Sequence, residues 1–162
     1  MLYIKALTTL ALVWLLTGCS ALSPYSTQTR LELELVASDQ LNPDINGRPS
    51  PVVVRLLELK NPVLFETADF FSLYGQAKEL LTPDLVAAEE LELRPGERLT
   101  LKVRVQEGSR YVGVLAAYRD LPETKWRYVI QAKAGEKTSV KLSLDHTGIN
   151  TVSEALAEAD RR

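Results

Sequence analysis

The chain has 162 residues, of which 46% are hydrophobic and 25% charged, and its formal net charge is −2. This composition suits one globular domain and argues against intrinsic disorder. A nucleic-acid partner would call for a basic patch with interleaved aromatic residues, and the mixed charges do not provide one. A single cysteine and a single histidine exclude an internal disulfide and a metal site built from several such ligands.

The first eighteen residues are typical of a lipoprotein signal peptide. Lys5 gives a charged start, and residues 6–16 (ALTTLALVWLL) form an apolar run. As a helix this run would rise only about 16 Å, too short to span a bilayer. Leu16-Thr17-Gly18-Cys19 then forms a lipobox. We expect cleavage before Cys19 and acylation of its thiol; the alternative is an ordinary cleaved signal with a chance cysteine.

Acylation would anchor the chain to a membrane, because two acyl chains suffice for stable attachment. Ser20 occupies the position at which an aspartate commonly signals retention in the inner membrane. The serine at this position favours the outer membrane, with the domain facing the periplasm. Residues 19–29 comprise the lipidated cysteine and a small, polar, flexible tether of roughly 17 Å.

Short strands separated by turns are predicted from residue 30 onward. Arg30–Val36 alternates strictly and predicts a half-buried strand, whereas Val52–Leu59 is nearly continuous and predicts a strand buried on both faces. Between them, residues 39–51 are rich in turn formers and predict a long loop. Phe65–Tyr74 has helical spacing and predicts a short helix that ends at Gly75. Residues 78–88 are ambiguous, because Thr82-Pro83-Asp84 could end one turn of helix and start another.

The second half of the chain continues the strand pattern. A turn at Pro95-Gly96 is followed by predicted strands at Leu99–Val105, Tyr111–Tyr118, Trp126–Ala132 and Val140–Leu144. The whole pattern predicts an all-β fold, a two-sheet β-sandwich of about seven strands with one short helix after the second strand. The sandwich domain is expected to cover residues 30–150. Residues 151–162 form a tail in which Thr151 and Glu154 have capping-box spacing.

The loop at residues 39–51 is the best candidate for a binding element. It is long for a connection in a compact domain, its prolines restrict its conformations, and loops of this size are often functional. Leu41 and Ile45 are its expected apolar anchors, and Arg48 is the residue type that interfaces favour. Asn42, Asp44 and Asn46 complete the predicted contact set. An inert connection is the alternative.

Chemistry-bearing residues are few elsewhere. His146 has no free cysteine or second histidine as a partner, so we interpret it as an exposed loop residue. Glu32 and Glu34 are interpreted as a solvated strand face. Trp126 and Tyr128 fit a core position better than a sugar-stacking platform. No catalytic residues, metal or cofactor are predicted. A lipoprotein that binds a carbohydrate or small molecule on a β-sandwich remains the alternative function.

An ordered set of segments behind the lipobox resembles a known family, the type VI secretion outer-membrane lipoproteins (TssJ, VasD, SciN or Lip). The segments, from about residue 29 to residue 151, are Leu41-Asn42, residues 49–60 (PSPVVVRLLELK), Phe65, residues 68–74 (ADFFSLY), residues 94–97 (RPGE) and residues 111–114 (YVGV).

The resemblance implies a transthyretin-like sandwich with an added helix and a role without catalysis. It implies a lipoprotein that holds the periplasmic C-terminal domain of the inner-membrane protein TssM, within the complex formed by TssM and TssL. In the family, the loop between the first two strands carries much of that contact. Here that loop is residues 39–51, the segment that the turn formers single out.

Overall fold

A computed structural model describes residues 28–152, so the expected signal peptide, Cys19 and nearly all of the tail lie outside the described residues. The described residues form eight strands and two helices. The strands are β1 (Arg30–Ala37), β2 (Val52–Leu59), β3 (Leu85–Leu93), β4 (Arg98–Arg104), β5 (Tyr111–Ala116), β6 (Arg127–Gln131), β7 (Lys137–Asp145) and β8 (Gly148–Thr151). The helices are α1 (Val63–Thr67) and α2 (Phe70–Leu80).

The strands form two four-stranded sheets. Sheet A has the order β4-β1-β7-β8, and sheet B has the order β3-β2-β5-β6. Strand β1 pairs in parallel with β7, and all the other strand pairs are antiparallel. The predicted two-sheet sandwich is therefore confirmed, with eight strands where about seven were expected.

The main core lies between the two sheets. Leu31, Leu33 and Leu35 of β1 are at most 1% exposed, while Glu32 and Glu34 between them face outward. This is the alternation that predicted β1, since successive side chains of a strand point to opposite faces. The buried leucines pack with residues of sheet B such as Val54, Leu56, Val112 and Val114.

A second core lies between the helices and the outer face of sheet B. Phe65, Phe70 and Leu73 pack there with Leu57 and Leu115. Strand β2 is thus covered on both faces, which explains its nearly continuous apolar sequence. Helix α1 approaches closely because Gly113 in β5 has no side chain: a Cβ at that position would lie 2.9 Å from the Phe65 ring.

Two arginines of sheet B also hold the helices. The Arg127 guanidinium donates hydrogen bonds to the backbone carbonyls of Phe65 and Ala68, at 3.0 and 2.6 Å. Arg55 donates to the Tyr74 carbonyl and pairs with Glu90 at 2.6 Å. These carbonyls lie at or near helix ends or a kink, where the helix itself leaves acceptors unpaired.

The prediction of one helix that ends at Gly75 is wrong, because the segment forms two helices and the second continues past Gly75. Ala68 is extended, and Asp69 begins a new helix by accepting a hydrogen bond from the Ser72 backbone N–H at 3.0 Å. Helix α2 then passes through Gly75 to Leu80, with non-helical dihedral angles at Gln76. Helical spacing indicated a helix in this segment, but it did not reveal the N-cap inside it.

Two strands escaped prediction because they lack a clear pattern. The ambiguous segment 78–88 is the end of α2, a turn and the start of β3, an edge strand whose outer residues are exposed. Strand β8 has only four residues and one large buried side chain, Ile149. Thr151, expected to begin the tail, pairs with Leu142 as the last residue of β8.

Replacing Gly113 with alanine is expected to destabilise the fold by about 1–3 kcal/mol, because the new methyl group would overlap the fully buried Phe65 ring. The matched control is Gly75→Ala in α2, where nothing lies within 4 Å of the added Cβ. Urea unfolding should show a loss for the first variant and no loss for the second. Equal stability of Gly113→Ala and the parent chain would contradict this account of how α1 packs.

Candidate functional site

The loop between β1 and β2, residues 38–51, crosses from sheet A to sheet B at one end of the sandwich. The connections β3–β4, β5–β6 and β7–β8 lie at the same end. The backbone N–H of Gly96 donates to the Ser38 carbonyl, and Asn42 lines a groove with Tyr118 and His146. The chain enters the sandwich at the opposite end, at Arg30, so β1 separates the predicted tether from this loop.

The start of the loop is built into the domain. Leu41 is 0% exposed within the main core, and Asn42 is 3% exposed. The Asn42 side chain donates to the Pro51 carbonyl at 2.8 Å and accepts from the Arg119 backbone N–H at 2.9 Å. Its backbone is left-handed, with φ of 45°, a conformation in which asparagine is enriched. Asn42 thereby joins the two arms of the loop to each other and to the β5–β6 connection.

These positions correct part of the predicted contact set. Leu41 was expected to be an apolar anchor for a partner and Asn42 a contact residue, but burial leaves neither side chain available at the surface. Their role in this structure is to support the loop. An alternating or continuous apolar pattern is absent around Leu41, so the sequence offered no signal that its side chain points inward.

Residues 44–48, here called the loop tip, form a tight turn with its own hydrogen bonds. The Gly47 backbone N–H donates to the Asp44 carbonyl at 2.8 Å, and the Asp44 N–H donates to the Arg48 carbonyl at 2.9 Å. Gly47 has φ of 75°, which glycine adopts without steric cost. This pattern matches a type I turn followed by a left-handed residue.

The Asp44 carboxylate organises the loop tip from inside the turn. It accepts from the backbone N–H groups of Asn46 and Arg48, at 2.8 and 2.9 Å, and from the Arg48 guanidinium at 2.8 Å. The Arg48 backbone N–H is the largest cause that lowers the pKa of Asp44 below its ordinary value of 3.8, against an opposing desolvation effect. Asn46 and the Arg48 side chain lower the pKa of Asp44 further.

The loop tip presents its remaining side chains to solvent. Ile45 is 102% exposed, and the Arg48 side chain is 75% exposed. Asn46 is exposed as well. A fully exposed isoleucine on a turn fixed by several hydrogen bonds is a preorganised apolar contact, because little conformational entropy remains to be lost when a partner binds.

A groove of about 300 Å³ lies beside the loop tip. Three carboxylates, Asp44, Asp120 and Glu123, line it together with His146. The Tyr118 hydroxyl is buried at the same place without a hydrogen-bond partner in the described part of the chain. Burial, and secondarily the nearby Asp145 carboxylate, raises the pKa of Tyr118. Asp120 and Glu123 lie in the β5–β6 connection, between the predicted strands Tyr111–Tyr118 and Trp126–Ala132.

The other chemistry-bearing residues do not form a second site. His146 is exposed in the β7–β8 turn, as predicted. Trp126 and Tyr128 are partly buried and pack on the cores, and Phe70 meets the Trp126 ring edge-on at 5.2 Å. The aromatic platform that the carbohydrate-binding alternative requires is therefore not present at these two residues.

Residues 28–152 also contain no group of three or more His, Cys, Asp or Glu side chains placed to hold a metal ion. Over the same range, no helix combines the length and the hydrophobicity that a membrane span requires. Apart from Ile45, the large exposed apolar side chains of this range are Val63, Leu64 and Phe71, on the helices. The helical spacing of apolar residues in this segment did not indicate that Phe71 is 75% exposed.

Comparison with known proteins agrees with this fold. A family model described as type VI secretion lipoprotein (VasD, EvfM, TssJ) matches residues 29–147. No curated protein matches the chain in sequence. The segment matched by the model contains strands β1 to β7, both helices and the whole β1–β2 loop, and it stops at Thr147, just before β8.

Several solved structures share the fold. The T6SS lipoprotein TssJ1 from Pseudomonas aeruginosa is 36% identical, with a TM-score of 0.75 over 77% of this chain and 95% of that one. Lip from Serratia marcescens, a membrane-bound component of the type VI secretion system, is 27% identical, with a TM-score of 0.71 over 76% and 97%. A chain from a type VI membrane complex matches at 24% identity and a TM-score of 0.68, over 76% and 98%.

The loop tip is expected to lose its order in acid. Because the folded-state pKa of Asp44 is depressed, its stabilising contribution is complete above pH 3.8 and disappears as the pH falls through the lower folded-state value. The amide NMR signals of Asn46 and Arg48 should therefore titrate with a midpoint below 3.8. The same two signals should lose this titration in Asp44→Asn. A midpoint at or above 3.8 would contradict the hydrogen-bonded turn.

Proposed function

We propose the following function for this chain, which belongs to the type VI secretion lipoprotein family: it is an outer-membrane anchor that holds the periplasmic C-terminal domain of TssM. Acyl chains on Cys19 fix one end in the membrane, and the loop tip binds the partner at the other. The mechanism is attachment, not catalysis.

The observation that carries this proposal is the position of the two ends. The predicted tether joins β1 at Arg30, and the loop leaves β1 after Ala37 at the other end of the strand. Eight strand residues separate the two points by roughly 26 Å. A partner that approaches from the periplasm can therefore meet the loop tip without being blocked by the membrane that holds the tether.

The shape and chemistry of the loop tip support a protein partner. Ile45 is fully exposed yet held in one conformation by the turn around Asp44. Arg48 adds a cation whose pairing with Asp44 leaves most of its side chain in solvent. A rigid apolar residue with an adjacent arginine is typical of the few contacts that dominate interface energies. Leu41 and Asn42 contribute by keeping both arms of the loop in place.

Replacing Ile45 with aspartate should weaken binding of the TssM periplasmic domain by about tenfold or more, since the variant puts a charge at the proposed contact. Ile45 makes no packing contact in its own domain, so folding should be unaffected. Phe71→Asp is the matched control, because Phe71 is also an exposed apolar residue but lies on α2. Isothermal titration calorimetry with both variants tests the assignment. Wild-type affinity in Ile45→Asp would refute it.

Replacing Cys19 with serine should remove the protein from the outer-membrane fraction and stop secretion, because serine cannot form the thioether to a lipid. Ser20→Asp is the matched control: it keeps the acylated cysteine but is expected to redirect the protein to the inner membrane. Density-gradient fractionation of the two membranes, followed by immunoblotting, distinguishes these outcomes. Outer-membrane fractionation of Cys19→Ser like that of the parent would contradict the predicted anchor.

A further inference from the structure

The end of sheet A that receives the tether carries an unusual cluster of cations. In the strand register, Arg30 lies directly opposite Arg104 on β4 and Lys137 on β7. Like charges directly opposite each other destabilise a sheet. Lys102 follows on the same face, so four cations of three neighbouring strands share one end of the sheet.

These four cations surround a groove of about 370 Å³, here called the basic groove. Its lining contains one carboxylate, Glu32, which pairs with Lys137. Four positive charges less one negative charge leave an excess of three. The adjoining groove at this end adds Arg110 and Glu107, which leaves that excess unchanged. A local excess of +3 stands out because the whole chain has a formal net charge of −2.

The arrangement has a cost that its internal pairing does not remove. Lys137 lowers the pKa of Glu32 through its hydrogen bond and its charge, and the charge of Lys102 lowers it further. The Glu32 carboxylate is therefore ionised and already paired with Lys137. Arg30 and Arg104 nevertheless remain exposed beside each other. A position at which a sequence breaks a local rule without internal compensation is where an external ligand is expected.

We propose that the basic groove binds the anionic phospholipid headgroups of the membrane leaflet that holds the acyl chains. The inference rests on the proposed function, since it requires the anchor at Cys19. Nine residues (28 − 19) separate Cys19 from Gln28, the first described residue, and nine residues reach at most about 30 Å. The groove begins two residues after Gln28, so the tether keeps it close to the membrane surface.

Headgroup phosphates match this groove in charge and geometry. Arginine binds phosphate oxygens through two parallel hydrogen bonds, and lysine adds a point charge. Basic residues next to a membrane are attracted by anionic lipids over about a Debye length. The groove beside the loop tip, at the opposite end of the domain, has a different lining that includes three carboxylates. Binding at the basic groove would therefore orient the domain with the loop tip away from the membrane.

The test uses the acylated mature protein in two kinds of vesicle, one of phosphatidylcholine and one that also contains about 30% phosphatidylglycerol. Lysine acetylation is followed by mass spectrometry. Lys102 and Lys137 should react at least about threefold more slowly on the anionic vesicles, and about 0.5 M salt should remove the difference. Lys78, exposed on α2, is the internal control and should react equally on both.

Matched variants separate a headgroup contact from a general change in reactivity. Arg30→Gln combined with Arg104→Gln should abolish the protection of both lysines, whereas Arg94→Gln, an exposed arginine at the loop end, should preserve it. Equal lysine reactivity on both vesicles, in protein that floats with both, would overturn this inference alone. Protein that floats with neither would overturn the anchor at Cys19 and this inference with it.

Discussion

Strand β1 is the element on which the rest of the structure depends. It lies inside sheet A, with seven residue pairs to β4 and eight to β7, and its leucines form the centre of the core. It also joins the two ends of the proposed attachment, since the predicted tether enters at Arg30 and the loop leaves after Ala37. Because alternate residues of β1 are buried, the strand is held in place with the tether entry and the loop at its opposite ends, as the proposed attachment requires.

This arrangement determines how tension would pass through the domain. A β-strand rises about 3.3 Å per residue, close to the fully extended limit of the chain, so β1 has little slack to release under load. Force that enters from the tether and leaves through the first arm of the loop runs along the backbone of β1. The hydrogen bonds to β4 and β7 are then not pulled apart one by one, as they would be if the force peeled an edge strand.

Force on the second arm of the loop reaches β2 in the other sheet. Asn42 connects the two arms through its hydrogen bond to the Pro51 carbonyl, and Leu41 holds the first arm in the core. The loop tip is thus supported on both sides before any partner is present. This is a reason for buried residues to recur in a segment whose outer part is the proposed contact surface.

The sequence predicted the parts of the fold that follow a regular period. The alternation in Arg30–Val36 and the continuous run in Val52–Leu59 identified β1 and β2, because burial on one face or on two leaves different patterns. The position of the β1–β2 loop followed from its turn formers. Strand β8 was not predicted, because four residues are too few to show a period. The N-cap at Asp69 was not predicted either, because a single capping side chain has no period.

Within the loop, sequence reasoning identified the segment but could not assign its side chains. Leu41 and Ile45 are equivalent as apolar residues, yet one is 0% and the other 102% exposed. The difference depends on tertiary contacts: Leu41 meets the core of both sheets, while the turn around Asp44 directs Ile45 outward. The basic groove was missed for a similar reason, because Arg30, Arg104 and Lys137 are far apart in the chain and meet only through strand register.

The charged residues are unevenly distributed between the two ends of the domain, although the formal net charge of the whole chain is only −2. Cations collect where the tether enters, and carboxylates line the groove beside the loop tip. A membrane with anionic headgroups attracts the first end, so electrostatics and the proposed lipid anchor favour the same orientation. By itself, the proposed lipid anchor would hold the domain near the membrane without fixing its orientation. The uneven distribution of charge supplies the orientation that would leave the loop tip facing a partner from the periplasm.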